Sequence, residues 1–247
     1  MALNAFQTSV SSDPSPGIEG GFAGGNPYFS VITPDEGMFV ASSVSPPIMG
    51  KFAFANLTTG VVSASGASVP NFRAGFVHRD QPAIVNGAGL FNSSSMAIVG
   101  GQGMGLAEDG TFWARFAAGA SPFTNGVAQK VYASYVDGSP TAAATATPAT
   151  TTGSVTTTNA SATIAYTGTA PAPGMPVSGT GIPASTMIGT VNTAAGTATL
   201  VLTTTGAASP ATASATITAT YTTNFETAFN VRSVAAAGEL AKISVRG

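Results

Sequence analysis

The sequence predicts an all-β protein: an antiparallel β-barrel or sandwich core of jelly-roll type, with an inserted small β module and an extended N-terminal arm. Three observations predict this class. Apolar runs of four to seven residues recur between Asn-Gly and Asp-Gly dipeptides, which favour tight turns. One run, TFWARF, alternates along its length as a half-buried strand does. Helical periodicity is almost absent.

Residues 1–28 predict the extended arm. They are rich in Gly, Ser and Pro, with single aromatic residues at Phe6, Phe22 and Tyr28. Spaced aromatic side chains on such a chain are suited to fill pockets on a neighbouring protein. The alternative is a loosely ordered tail, because chain termini are often poorly tied down.

Residues 29–137 predict a series of short strands, and residues 224–247 are expected to complete the same domain. The apolar runs are FSVI, MFVA, KFAFA, AGFVH, PAIV, MAIVG, TFWARF and KVYASYV. The turn dipeptides between and after them are Asn86-Gly87, Asp109-Gly110, Asn125-Gly126 and Asp137-Gly138. Each such dipeptide tolerates the positive φ angles of hairpin turns.

The TFWARF run gives the clearest face assignment. Phe112, Ala114 and Phe116 share one face of the predicted strand, while Trp113 and Arg115 share the other. We therefore expect the first face in the core. Trp113 and Arg115 are then candidates for stacking or for an interface contact.

Residues 138–223 predict an inserted, surface-projecting β module. The chain carries no charged residue from 138 to 225, and Thr, Ala, Ser, Gly and Pro dominate it. Short β-rich pieces, such as TATLVLT and SATITATY, alternate with stretches such as PGMPVSGTGIP, in which Gly and Pro favour turns. A disordered Thr/Ala linker is the alternative, but regularly spaced Ile, Val, Leu and Tyr indicate a buried face.

Composition excludes several functional classes. Charged residues make up 7% of the chain, against roughly 25% in an average soluble domain. With no cysteine and one histidine, disulfides, thiolate metal sites and single-chain sites with two or three histidines are impossible, and we expect no metal or cofactor. The eight Lys and Arg residues are scattered singly, so we expect no nucleic-acid partner.

Membrane insertion and secretion are also not indicated. No run of 18 apolar residues could form a membrane-spanning helix. After Met1 the first positive residue is Lys51, so the start of the chain lacks the basic region of a signal peptide. We expect synthesis and assembly in a cytoplasm. A surface so poor in charge favours cover by partner proteins.

No motif predicts an enzyme. His78-Arg79-Asp80 resembles the protein-kinase catalytic loop, but Val85 stands where that loop needs Asn, and no Asp-Phe-Gly follows. These residues are better interpreted as a polar turn or a contact with a neighbouring subunit. The chain also lacks the Gly-x-Ser-x-Gly elbow of α/β-hydrolases.

Six stretches together resemble the structural cement, or capsid-decoration, proteins of tailed bacteriophages. They occur in the family's order and cover most of the chain outside the insert: PGIEGGFAGGNPYFSVI, GKFAFAN, FRAGFVHRDQPAIV, GTFWARF, VYASYVDG and TAFNVRSVAAAGELAKIS. Gly21 is a departure, because an acidic residue is expected after IEG. The PGMPVSGTGIP stretch is also similar to small β modules of phage virion proteins.

The resemblance implies a non-enzymatic protein on the outer surface of an icosahedral head, where it bridges major capsid subunits and stabilises the shell. The implied partners are the major capsid protein and further copies of this chain, as a dimer or trimer. The candidate contact residues are Phe6, Phe22, Tyr28, Arg73, His78, Arg79, Trp113 and Arg115. The alternative function is a phage or bacterial surface adhesin that uses the inserted module to bind a ligand or host.

Overall fold

A computed structural model describes residues 17–24, 31–32, 38–66, 72–79, 96–116, 129–143, 148–233, 235 and 238–245. Every regular element in these ranges is a β-strand, and all but one of the strand pairs are antiparallel. The predicted all-β, antiparallel barrel or sandwich class is therefore confirmed. The predicted turns Asn86-Gly87 and Asn125-Gly126 and the run PAIV lie outside the described residues.

The first seven strands form one sheet. They are β1 (Val31–Ile32), β2 (Phe39–Ala41), β3 (Phe52–Asn56), β4 (Val61–Ser63), β5 (Phe72–Phe76), β6 (Gly103–Met104) and β7 (Leu106–Ala107). Their order in the sheet is β1-β7-β5-β3-β4-β2-β6. The exception to antiparallel pairing is β2 with β4, which run parallel.

The remaining strands form a second sheet and a barrel. The chain continues through β8 (Thr111–Arg115), β9 (Lys130–Ser134), β10 (Pro140–Ala143), β11 (Thr150–Thr157), β12 (Thr163–Thr167), β13 (Pro176–Ser178), β14 (Thr186–Asn192), β15 (Thr197–Leu202), β16 (Ala215–Thr222), β17 (Asn224–Val231) and β18 (Leu240–Ser244). The five-stranded sheet has the order β10-β9-β17-β18-β8, and β11 to β16 close into a six-stranded barrel.

The seven-stranded and five-stranded sheets pack face to face as a sandwich through aromatic rings. Phe76 of β5 lies 5.1 Å, between ring centroids, from Phe112 of β8, and Phe52 of β3 lies 5.7 Å from Phe229 of β17. All four side chains are fully buried. Because aromatic pairs at these separations add to the burial of large apolar areas, this cluster stabilises the packing of the two sheets.

Strand β3 is buried on both faces. Phe52 and Phe54 point into the sandwich, while Ala53 and Ala55 belong to a second apolar cluster with Met49 and Ile98. The MAIVG run supplies Ile98, so our prediction of a strand there is wrong: it forms only an isolated bridge between Ala97 and Ile48. Its apolar side chains cover the sheet instead of extending it.

The face assignment in TFWARF is confirmed. Phe112, Ala114 and Phe116 are at most 1% exposed, whereas Trp113 is half-buried and Arg115 is exposed. The alternation arises because β8 presents one face to the sandwich core and the other to solvent.

The predicted turn at Asp137-Gly138 is also confirmed, as the hairpin between β9 and β10. Gly138 has φ +68°, and the Phe52 N–H donates to its carbonyl at 2.9 Å. An ideal Cβ on Gly138 would lie 1.8 Å from the Phe52 carbonyl oxygen, so only glycine fits. The turn thereby joins the two sheets.

The barrel occupies residues 150–222 and has no free sheet edge along its closed ladder. Its interior is filled by apolar side chains, namely Val155, Ile164, Val177, Ile188, Leu200, Ala219 and Tyr221. Threonines alternate outward along β11 and β16, and Thr156 and Thr216 share a hydrogen bond across the pair. Strand β10, in the range of the predicted module, instead pairs with β9 of the sandwich.

Two strand ends form a neck between barrel and sandwich. The N–H and Oγ1 of Thr223 both donate to the carbonyl of Ala149 at 2.9 Å, so the two ends of the module lie side by side. Beside the neck, the Gly66 N–H donates to the Tyr135 carbonyl at 2.8 Å. An ideal Cβ on Gly174 of the barrel would lie 2.1 Å from the Gly66 carbonyl oxygen. We call this close approach of Gly66 and Gly174 the glycine joint.

Candidate interaction surface

An N-terminal turn extends the five-stranded sheet beyond β8. The Gly21 N–H donates to the Ile18 carbonyl at 2.8 Å, with Gly20 at φ +79° as a tight turn of this kind requires. The next residues run along β8: Gly20 N–H donates to the Trp113 carbonyl, and Trp113 N–H donates to the Gly21 carbonyl. Residues 17–24 therefore cover an edge that would otherwise be open.

The ring of Phe22 packs at the end of the sandwich core. Its centroid lies 5.3 Å from Phe112 and 5.9 Å from His78. Two segments distant in sequence, the N-terminal turn and the residues directly after β5, thus meet over the core residue Phe112. In this contact Phe22 anchors its own chain.

Charged side chains fasten the same turn. The Arg115 guanidinium donates to Glu19 at 2.9 Å and to the Gly238 carbonyl at 2.7 Å. The backbone N–H of Arg79 also holds the turn, because it donates to the Gly20 carbonyl at 2.7 Å. Glu19 is thus the acidic partner in this turn, where the resemblance places an acidic residue at position 21.

Trp113 lies on the outer face of β8, and residues of this chain cover it. An ideal Cβ on Gly17 would lie 2.5 Å from the indole ring, so the backbone of Gly17 lies directly on it. The Lys242 ammonium, across the strand pair, lies 5.4 Å from the ring centroid. The cation beside Trp113 is thus Lys242 of the same chain, whereas Arg115 pairs with Glu19.

The structure brings together five of the eight candidate contact residues: Phe22, His78, Arg79, Trp113 and Arg115. Arg73 is elsewhere, on β5, 3.4 Å from Glu108. Phe6 and Tyr28 lie outside the described residues. Capsid contact by any of the eight stays a prediction.

A second surface was not indicated by the sequence. Met38, Val40 and Val61 lie on one exposed face at the β6 end of the seven-stranded sheet, where Val40 pairs with Val61. Val44 and Val99, on the adjoining turns, are 93% and 55% exposed. We call these five side chains the β2 patch.

The segments that build the β2 patch carry no charged residue. Residues 38–45, 57–62 and 96–104, which build it, include no Asp, Glu, Lys or Arg. Exposed apolar side chains on neighbouring elements are candidates for binding other proteins. The sequence signal was ambiguous because MFVA is apolar throughout, so it does not tell which residues of β2 face outward.

The titratable groups with perturbed pKa values support the fold. Partial burial favours the protonated form of Asp137, but hydrogen bonds from Lys51 at 2.8 Å and Ser139 at 2.5 Å hold its pKa below the usual value. Burial raises the pKa of Tyr135 to about 12. Both lie where the sheets meet.

The described part of the chain contains neither a metal site nor a membrane-spanning helix. In these ranges no three His, Asp or Glu side chains are grouped to hold a metal ion. No helix long and apolar enough to span a membrane occurs in them.

Comparison with known proteins gives one family. A family model described as XM1 gp53 minor capsid protein matches residues 6–167. The match includes the N-terminal turn, the β2 patch and the first strands of the barrel. No curated protein and no solved structure matches the chain.

Proposed function

We propose, from the premise that the chain belongs to the XM1 gp53 minor capsid protein family, that it binds the outer surface of an icosahedral phage head and bridges major capsid subunits. Family membership makes the protein a structural component of the phage virion. From the surface of this protein we infer a more specific role, which is to cement the capsid shell.

The observation that carries the proposal is the β2 patch. Its five apolar side chains are exposed, and no charged residue lies in the segments that form it. Burial of apolar area contributes about 25 cal/mol per Å². Burial of these side chains against the shell would therefore stabilise the complex.

Several weak contacts suffice for a cement protein. A subunit that touches two or three capsid proteins makes its later contacts intramolecularly, so total binding greatly exceeds each single affinity. Self-association as a dimer or trimer multiplies the contacts again. This is how a protein with so few charged side chains can bind stably without a single large interface.

The properties of the barrel surface favour a position in which the barrel points away from the capsid shell. Its surface threonines are neutral, Thr156 and Thr216 share a hydrogen bond, and its closed ladder offers no edge for unwanted strand pairing. Its two aromatic residues, Tyr166 and Tyr221, have buried hydroxyl groups. Tyr221 is buried and Tyr166 is only partly exposed, whereas a sugar-binding adhesin uses exposed aromatic rings, which favours the capsid function.

The test uses phage heads that lack this protein. Val99→Asp places a charge in the β2 patch, and Val136→Asp is the matched control, since the two valines are 55% and 59% exposed. We expect Val99→Asp to lower the affinity for heads by tenfold or more, because burying an unpaired carboxylate is costly, and Val136→Asp to bind as wild type. Equal binding of both variants would contradict a role of the patch.

A further inference from the structure

One side chain of the β2 patch projects from the surface of the sandwich. Val44 is 93% exposed, whereas the other four members of the patch are between 36% and 66% exposed. A side chain so exposed makes little contact with its own chain. Val44 can therefore be enclosed by a partner protein on almost all sides.

The turn that carries Val44 is held by hydroxyl groups. The N–H groups of Val44 and Ser45 both donate to the Oγ atom of Ser42, each at 3.2 Å. The Oγ atom of Ser45 lies 3.3 Å from that of Ser65 and accepts a hydrogen bond from the Ser65 N–H. Serine side chains that bind nearby backbone groups in this way fix a turn locally. The turn is thereby tied to the end of β4.

The backbone of the same turn is fixed by two further contacts. The Ser42 N–H donates to the Val62 carbonyl at 2.8 Å. An ideal Cβ on Gly100 would lie 2.5 Å from the Cα atom of Ser43, so a second segment of the patch packs directly against the turn. Since valine also has few side-chain rotamers, little conformational freedom remains to be lost when Val44 is buried.

The surroundings of Val44 indicate the chemistry of a partner. No charged residue lies in the segments that build the β2 patch, residues 38–45, 57–62 and 96–104. Charged groups on a partner would lose their hydration in this contact and find no opposite charge, which favours an uncharged partner surface. A projecting apolar side chain is enclosed only by a concave site, and anchor residues of protein interfaces commonly fill such pockets.

A second copy of this chain is a poorer match than a shell protein. The described residues form a groove between β5 and β17, but charged side chains are among those that line it, namely Arg73, Glu108, Asp109 and Glu226. Insertion of Val44 there would remove water from these groups, which is costly.

We propose that Val44 is the anchor of the shell contact and inserts into an uncharged, apolar pocket of a capsid-shell protein. The inference rests on the proposed function and adds to it the anchoring side chain and the kind of site that receives it. Ser42 is a positioning residue, because its hydroxyl group holds the turn at residues 42–45. The other side chains of the β2 patch exclude water around the anchor.

Size variants of Val44 distinguish a pocket from a flat contact in binding to heads that lack the protein. Val44→Phe overfills a pocket shaped for valine, but on a flat surface it buries more apolar area and strengthens binding. We expect Val44→Phe and Val44→Ala each to weaken head binding about tenfold, with melting temperatures equal to that of wild type because the side chain is exposed. Unchanged or tighter binding of Val44→Phe would overturn the inference.

Val136 provides the matched control. It lies outside the β2 patch and is 59% exposed, and its N–H donates to Ser134 Oγ at 3.2 Å, as that of Val44 does to Ser42. We expect Val136→Phe and Val136→Ala to bind heads within twofold of wild type. An equal loss of binding for the variants at both positions would contradict a specific role of Val44.

Ser42→Ala tests the turn without changing Val44. Loss of the two hydrogen bonds to this hydroxyl loosens the turn, so we expect head binding to be roughly fivefold weaker. Ser134→Ala makes the corresponding change beside Val136 and should bind within twofold of wild type. Equal binding of Ser42→Ala and wild type would overturn the positioning role of Ser42.

Failure of this inference and failure of the proposed function give different results. If the Val44 variants bind as wild type while Val99→Asp does not bind, the patch contact stands and the anchor is overturned. If wild type does not bind heads, the proposed function is overturned with it. A changed oligomeric state of free Val44→Phe with unchanged head binding would assign Val44 to a contact between copies and overturn the inference.

Discussion

Replacing Gly174 by alanine should separate the barrel from the sandwich at the glycine joint. Gly174 has φ +84°, where an L-residue costs about 1–2 kcal/mol. Its new Cβ would also lie 2.1 Å from the Gly66 carbonyl oxygen, which is backbone and cannot rotate away. Forcing an extra methyl group into such a contact costs about 1–3 kcal/mol. Gly174→Ala should therefore lose about 2–5 kcal/mol.

Gly168→Ala is the matched control. Gly168 has φ +90°, but its ideal Cβ meets nothing within 4 Å, so this variant carries the backbone strain without the clash. Urea unfolding followed by circular dichroism gives the free energy of each variant, and the fluorescence of Trp113, the single tryptophan, follows the sandwich. Equal losses for the two variants would show that the joint is not tightly packed and would refute the reasoning.

Three further outcomes are expected. Asp137→Asn should lower the free energy of unfolding at pH 7 by about 1 kcal/mol. A carboxyl with a lowered pKa stabilises the fold above about pH 4 and ceases to do so as the pH falls through its folded value. The variant should therefore lack this part of the loss of stability in acid, and acid titration of unfolding checks this. The wild-type protein should lose stability from about pH 10 upward, because the tyrosine ionises in the unfolded chain while folded Tyr135, with a pKa of about 12, stays neutral. Thermal melting of Tyr135→Phe at alkaline pH should lack this part of the loss of stability. A chain that begins at residue 17 should have the melting temperature of the wild type, whereas one that begins at residue 25 should melt at a lower temperature because the edge of β8 is uncovered. Equal melting temperatures for the two truncated chains would contradict the role of the N-terminal turn.

The sequence was most informative where one face of a strand is buried. Alternation in TFWARF predicted the buried Phe112 and Phe116, and Asp137-Gly138 predicted its hairpin, because both signals are local. Strand β11 was harder to find. Its sequence, TTTGSVTT, has one apolar residue facing inward, Val155, and its position depends on the ladders to β12 and β16.

The candidate surface was less predictable from the sequence, because it depends on contacts between segments that are distant in the chain. The sequence marks Phe22 as an aromatic anchor but does not say which protein supplies the pocket, and in the fold its neighbours are Phe112 and His78. Conversely, Val40 and Val61 look like core residues in sequence. They are exposed because β2 and β4 lie near an end of their sheet, which only the strand order reveals.

The central claim is that the sandwich binds the outside of the head while the barrel projects from it. Replacing residues 150–222 by Gly-Asn-Gly keeps β10 and β17 and joins the neck at Ala149 and Thr223, whose groups lie 2.9 Å apart. Reconstruction of heads decorated with wild-type or shortened protein by electron cryomicroscopy is the most direct measurement. We predict equal occupancy with loss of only the outermost density. A soluble, folded shortened protein that leaves the heads bare, or barrel density against the shell, would contradict the account.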